Sequence, residues 1–222
     1  MIQGCLFDMD GVLLDSERFG MAIFPKIAAS HGYQFPPELY LKMLGLDPET
    51  SKKIVQQVIG ADFPHTTAMM ELFEALLLHA ESGTLPLKPG LSACLQGLKA
   101  RGLRLALVTS TRRDVVLRYL KAIPEFHNAF DAVACGSDVA QSKPAPDIFL
   151  LAAKALGLSP AECIGIEDSR NGLKSLRAAG IPAVMIPDLL PCDDSFAGLV
   201  DWKLDSLAEL CPLVDKLNAP SS

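Results

Sequence analysis

The sequence predicts an α/β protein: a parallel sheet with helices on both faces, interrupted after its first strand by a helical insert. Two observations predict the sheet. From residue 90 onward, short apolar runs alternate with stretches of helical spacing. Glycines fall just past three of those helices, at Gly102, Gly157 and Gly180, where a left-handed residue closes a helix. A third predicts the insert: from about Ser16 to Glu81 the pattern is helical throughout, with no convincing strand.

The elements follow in order. Ile2 to Phe7 is too short for a helix and too apolar for a loop, so it reads as a buried strand. The insert reads as helices over Glu17–His31, Pro37–Leu44, Thr50–Ile59 and Thr66–His79. The stretch Ser82 to Gly90, punctuated by glycine and proline, reads as the return linker. Helices are then expected over Leu91–Arg101, Arg113–Ala122, Asp147–Leu156 and Asn171–Ala179. Strands are expected over Leu103–Thr109, Ala132–Cys135, Cys163–Glu167 and Ala183–Ile186. The expected division is a core of residues 1–15 and 83–222 around a helical cap of residues 16–82, with Pro220–Ser222 as a frayed end.

Composition narrows the function. The chain has 222 residues, half of them apolar, which fits a well-packed domain with an insert. A formal charge of −6 with no basic stripe argues against nucleic-acid binding. The six cysteines are scattered with no Cys-x-x-Cys pair, so neither a zinc site nor a disulfide framework is indicated. No apolar run approaches membrane-spanning length and no leader pattern opens the chain, so a monomer in the reducing cytoplasm, off the membrane, is expected.

The chemistry begins at the end of the first strand, in Phe7-Asp8-Met9-Asp10-Gly11. Burying Asp8 there costs several kcal/mol unless its charge is paired. Close carboxylates also repel, which raises the affinity of one for a proton or of both for a cation. Asp-x-Asp-Gly alone also suits a simple turn cap. A calcium loop of the EF-hand type fits poorly, because Gly11 comes fourth rather than sixth and a strand precedes it.

In open parallel sheets, ligands sit at the carboxyl ends of the strands. Applied along this chain, that rule collects Thr109-Ser110-Thr111, a run of hydroxyls opening a helix, and a second acidic pair, Glu167-Asp168. Lys143 stands ahead of Pro144 and Pro146. Taken singly, the hydroxyls and the second acidic pair read equally well as helix caps, and Lys143 as a surface lysine. Together they supply carboxylates for a hard divalent cation, a hydroxyl for a phosphoryl oxygen and a fixed positive charge.

Asp8-Met9-Asp10-Gly11-Val12, Thr109-Ser110-Thr111, Lys143-Pro144-Ala145-Pro146-Asp147 and Glu167-Asp168-Ser169-Arg170-Asn171-Gly172 resemble, in order and spacing, the four motifs of the haloacid dehalogenase-like hydrolases. The resemblance covers essentially the whole chain. It is closest to the helical-cap branch that contains β-phosphoglucomutase and sugar-phosphate phosphatases. It implies a doubly wound, Rossmann-like parallel sheet with an inserted helical cap domain.

The resemblance also implies roles. Asp8 is expected as the nucleophile and Asp10 as the acid and base, with Thr109 and Lys143 holding the transferring phosphate. Mg2+ is expected on Asp8, the Asp10 carbonyl and Asp168, with Glu167 acting through water. Ser110 and Arg112 are further candidates for substrate or phosphate contacts. A dehalogenase would not need Asp10 or the metal carboxylates, and a non-catalytic relative would be expected to lose a motif residue.

The remaining competitor is a phosphosugar mutase. Such mutases have a histidine where this chain reads Arg18-Phe19-Gly20, and a cap arginine where it reads Gly45-Leu46-Asp47-Pro48. Both departures, with a cap in which acidic residues outnumber basic ones, favour hydrolysis of a small phosphate ester, a sugar or polyol monophosphate.

Overall fold

A computed structural model gives the fold and describes residues 1–46 and 48–220. Asp47 of the cap, and Ser221 and Ser222 of the expected frayed end, lie outside the described residues. The chain opens with β1 (Gly4–Phe7) and runs through four helices: α1 (Ser16–Ser30), α2 (Pro37–Leu41), α3 (Pro48–Ile59) and α4 (His65–Glu81). It continues α5 (Leu91–Ala100), β2 (Arg104–Thr109), α6 (Arg113–Ala122), β3 (Ala132–Cys135), α7 (Asp147–Ala155) and β4 (Cys163–Glu167). The last elements are α8 (Arg170–Ala179), β5 (Ala183–Met185), β6 (Trp202–Lys203) and α9 (Leu210–Asn218).

The six strands form one sheet in the order β3-β2-β1-β4-β5-β6, every neighbouring pair parallel. Alternate strand residues serve opposite faces, as strand geometry requires. Cys5, Phe7, Leu105, Leu107, Ile164 and Ile166 face α5, α6 and α9 through Leu95, Leu98, Val116 and Leu210. Leu6, Ala106, Val108 and Cys163 face α7 and α8 through Ile148, Phe149, Leu173 and Leu176. Both faces are covered, so the strands read as continuous apolar runs rather than as alternation.

The strands β1 to β5 stand where the sequence pattern puts them. The edge strand β6 and the helix α9 have no counterpart in the expected elements. Two residues ending in an exposed Lys203 leave no periodic signal, and Trp202–Lys203 pairs only with Val184 and Met185 of β5. The expected helix over 37–44 ends at Leu41, where the chain passes through turns into the glycine at 45.

The cap segment has its own aromatic centre. Phe24 is fully buried and packs edge-on against Phe35 at 4.8 Å and Phe63 at 6.4 Å. Leaving and re-entering chains lie antiparallel: Asp15 N–H donates to Pro86 O and Lys88 N–H to Leu13 O, both at 2.9 Å, around a Leu14–Leu87 bridge. The strand order reverses at β1, with β2 and β3 added on one side and β4 to β6 on the other. The strand ends at that switch point carry the site.

Candidate active site

Backbone pairing positions the first carboxylate. Asp8 N–H donates to Ile166 O at 2.9 Å, extending β1 one residue beside β4. The chain then turns on Met9 O, which accepts from Leu13 and Leu14, with Gly11 at φ 77°. Met9, Val12, Leu13 and Leu14 are all fully buried, so the turn is anchored by its apolar residues while its two aspartates project from it. Gly11 is required on two counts: the positive φ, and a Cβ there would overlap the Asp168 carboxylate.

Lys143 is the electrostatic centre. Its side chain is only 6% exposed, and Nζ lies 2.5 Å from Asp8 Oδ1 and 2.7 Å from Glu167 Oε1, with Val108 O at 3.3 Å. Burial pushes its pKa down, but Asp8 and Glu167 outweigh burial and raise it above the ordinary lysine value. The ammonium lies over the Phe149 ring, 4.9 Å from its centroid. A residue with no sequence signal beyond two following prolines thus becomes the counter-ion of the site.

Glu167 is fully buried and fully engaged. Oε1 accepts from Lys143, while Oε2 accepts from the Asp168 and Ser169 amides and the Ser169 hydroxyl at 3.1, 3.0 and 2.9 Å. Ser169 also caps α8, accepting from Gly172 N–H at 3.1 Å. A Cβ at Gly172 would overlap the Glu167 carboxylate. Gly172→Ala is therefore expected to destabilise the protein despite alanine's better helix propensity, by about 1–3 kcal/mol, read as a fall in melting temperature.

One oxygen each from Asp8, Glu167 and Asp168 lie within 4.8 Å of one another. Burial raises the pKa of Asp8 well above its ordinary value, and although Lys143 opposes this, Glu167 and Asp10 add to it. Asp168 is raised by burial, then by Glu167 and Asp8. Three carboxylates against one ammonium leave surplus negative charge in a low dielectric, and an all-oxygen donor set suits a hard cation. The residues present fit a divalent metal.

Asp10 is raised by burial, with Ser16, Lys143 and Thr111 pulling the other way. Thr109 is buried at the end of β2, where its Oγ1 accepts from Thr111 N–H at 3.1 Å. Ser110 is exposed at the same strand end, its carbonyl pressed against Gly136 so closely that a Cβ there would overlap it. Arg112 is not drawn into the cluster: it is 76% exposed and forks onto Asp114 in the first turn of α6 at 3.1 and 3.0 Å.

A second polar group at the cap side was not singled out from sequence. Asp188, with a side chain 1% exposed, follows β5 and pairs with Lys88 Nζ at 2.5 Å and Arg18 Nη2 at 3.4 Å. The strand-end rule, extended to β5, would have found it. Glu17 accepts from Tyr40 Oη–H at 3.2 Å. Burial and the nearby Asp10 charge raise its pKa to about 7.

A raised carboxyl contributes stability that is fully present below its unfolded-state pKa and is lost as pH rises through its folded value. Glu17→Gln is therefore expected to gain melting temperature on the parent as pH goes from about 5 to about 8, by a few degrees. Melting curves of the pair across that range check it.

The sequence matches the haloacid dehalogenase-like hydrolase family over residues 2–180. It is 33% identical to YhcW of Bacillus subtilis (strain 168), which carries a provisional phosphatase name, over 99% of both chains. It is 30% identical to the β-phosphoglucomutase of the same organism over 82% of both chains. The crystal structure of CbbY from Rhodobacter sphaeroides in complex with phosphate superposes with a TM-score of 0.77 at 30% identity, covering 95% of this chain and 96% of that one. A second crystal structure of that protein, carrying a D10N substitution, holds xylulose-(1,5)bisphosphate. Among the described residues no helix is long and apolar enough to cross a membrane. The chain belongs to the haloacid dehalogenase-like hydrolase family, and it is a phosphatase-type enzyme of that family.

Proposed function

We propose that this protein is a Mg2+-dependent phosphatase that hydrolyses a small phosphorylated metabolite, a sugar or polyol monophosphate, through a phosphorylated Asp8. The observation that carries the reading is the buried Asp8–Lys143–Glu167 ion triad at the topological switch point, with Asp168 and Asp10 beside it. The division into a core of 1–15 and 83–222 and a cap of 16–82 is part of the same proposal.

An Asp8 oxygen attacks phosphorus as the ester P–O bond breaks, and Asp10 gives its proton to the departing alkoxide. The raised pKa of Asp10 suits it to hold that proton. Asp10 then takes a proton from water, whose oxygen attacks phosphorus as the bond to Asp8 breaks. Thr109 and Lys143 hold the phosphoryl oxygens, and Ser110 stands at the same strand end to add a hydroxyl. Asp8, the Asp10 carbonyl and Asp168 would hold the metal, with Glu167 fixing the turn behind them. A bound divalent cation offsets the repulsion between the Asp8 carboxylate and the phosphate dianion.

Similarity to β-phosphoglucomutase favours a second reading, transfer of phosphate between two positions of one sugar. Against it, Arg18, in the region where such mutases have a histidine, is turned onto Asp15 and Asp188 at 3.3 and 3.4 Å. A phosphate-release screen over sugar and polyol monophosphates, with Mg2+ and then with chelator, tests the proposal. Metal-dependent release absent from Asp8→Asn is expected. Isomerisation of glucose 1-phosphate that outruns release would replace it with the mutase.

A further inference from the structure

Among the described residues, three sets of polar side-chain contacts tie the cap segment to parts of the core beyond its linkers. Arg118 of α6 reaches Glu81 at 2.8 Å and Glu74 at 3.7 Å, all well exposed, so these pairs contribute little. Arg18 meets Asp188 beside the hinge. The third joins the cap loop between α2 and α3 to the first turn of α8: Asn171 Nδ2 donates to Gly45 O at 2.7 Å, across 126 residues.

The setting of that bond is specific. Gly45 adopts φ 68°, which presents its carbonyl to the core, and its Cβ position lies 3.8 Å from the Ser169 Cβ. Ser169 in turn donates to Glu167 and caps the helix on which Asn171 stands. The cap loop therefore rests on the same short turn, Glu167 to Asn171, that carries two of the clustered carboxylates. A carboxamide is the right group for this contact, because it offers a neutral donor at fixed reach without adding charge to an acidic site.

We propose that Asn171 is a positioning residue, the latch that holds the cap loop at Gly45 over the carboxylate cluster. It rests on the phosphatase reading for its kinetic consequence but not for its structural one. Loss of the latch lowers the population of the closed, binding-competent form, which weakens apparent substrate binding by that fraction. Loss of one neutral hydrogen bond corresponds to a change of about three- to tenfold.

The test uses the full chain with Asn171→Ala, and with Asn171→Ser as a second variant should the first fail to fold. Trypsin cleavage after Lys42, which is exposed at the start of this loop, is followed at a temperature where parent and variant are both folded. Cleavage is expected to accelerate about three- to tenfold, with KM for the best monophosphate rising by a similar factor and kcat changing less than about twofold. Unchanged cleavage in a folded variant overturns the latch, and so does a fall in kcat at constant KM. If no monophosphate is hydrolysed by the parent, the phosphatase reading fails while the cleavage rates still decide the latch.

Discussion

Asp8→Asn is expected to lower metal-dependent phosphate release by about 10^4-fold or more, the scale seen when a covalent nucleophile is removed. An amide oxygen carries no charge to drive attack on phosphorus, and neither Asp10 nor Glu167 stands ready to replace it. Asp10 is committed to the acid and base steps in this proposal, and both Glu167 oxygens are already engaged. The same change is expected to leave the fold intact. Burial and like charges raise the Asp8 carboxyl, so its neutral isostere removes repulsion even as it gives up a partner of Lys143. A melting temperature within a few degrees of the parent would separate lost chemistry from lost structure.

Lys143→Ala is expected to act on both. Its ammonium is the only cation within hydrogen-bond distance of Asp8 and Glu167 among the described residues. Removing one partner of a buried ion pair leaves the other charges uncompensated, at a cost of about 3–5 kcal/mol. For a chain of this size that corresponds to a fall in melting temperature of roughly 10 °C. The cost should shrink when Mg2+ is added, because a bound cation restores positive charge to the same carboxylates and stabilises the folded state by mass action. Thermal melts of parent and variant with and without Mg2+ check both statements. Phosphate release should fall together with stability and recover far less with metal, since Lys143 is also the residue proposed to hold the transferring phosphate.

What was legible in the sequence was what periodicity and strand ends encode. β1, β2 and β4 are apolar runs because both faces of the sheet are covered, and the polar residues Asp8, Thr109 and Glu167 stand at their carboxyl ends. Lys143 sits in a loop, where no periodicity reports on burial, and only its motif context marked it. Arg112 shows the reverse. It stands beside the hydroxyl run in sequence, yet a helix begins there and its guanidinium folds back onto Asp114. β6 was too short to leave a pattern.

Glu17, Asp188 and Asn171 were overlooked for a different reason. Each acquires its setting from a partner distant in sequence, Tyr40, Lys88 and Gly45 respectively, and such contacts have no local spacing to read. Hinge geometry was equally hidden. The Leu14–Leu87 bridge joins two linkers that sequence marks only by glycine and proline.

The central claim is that Asp8 carries the phosphoryl group during turnover. Brief reaction with a monophosphate ester labelled in its phosphate, followed by acid quench and peptide mapping, tests it most directly. A base-labile acyl phosphate on Asp8 that forms within one turnover and is absent from Asp8→Asn is expected. Label on another residue, or full turnover by Asp8→Asn, would contradict it.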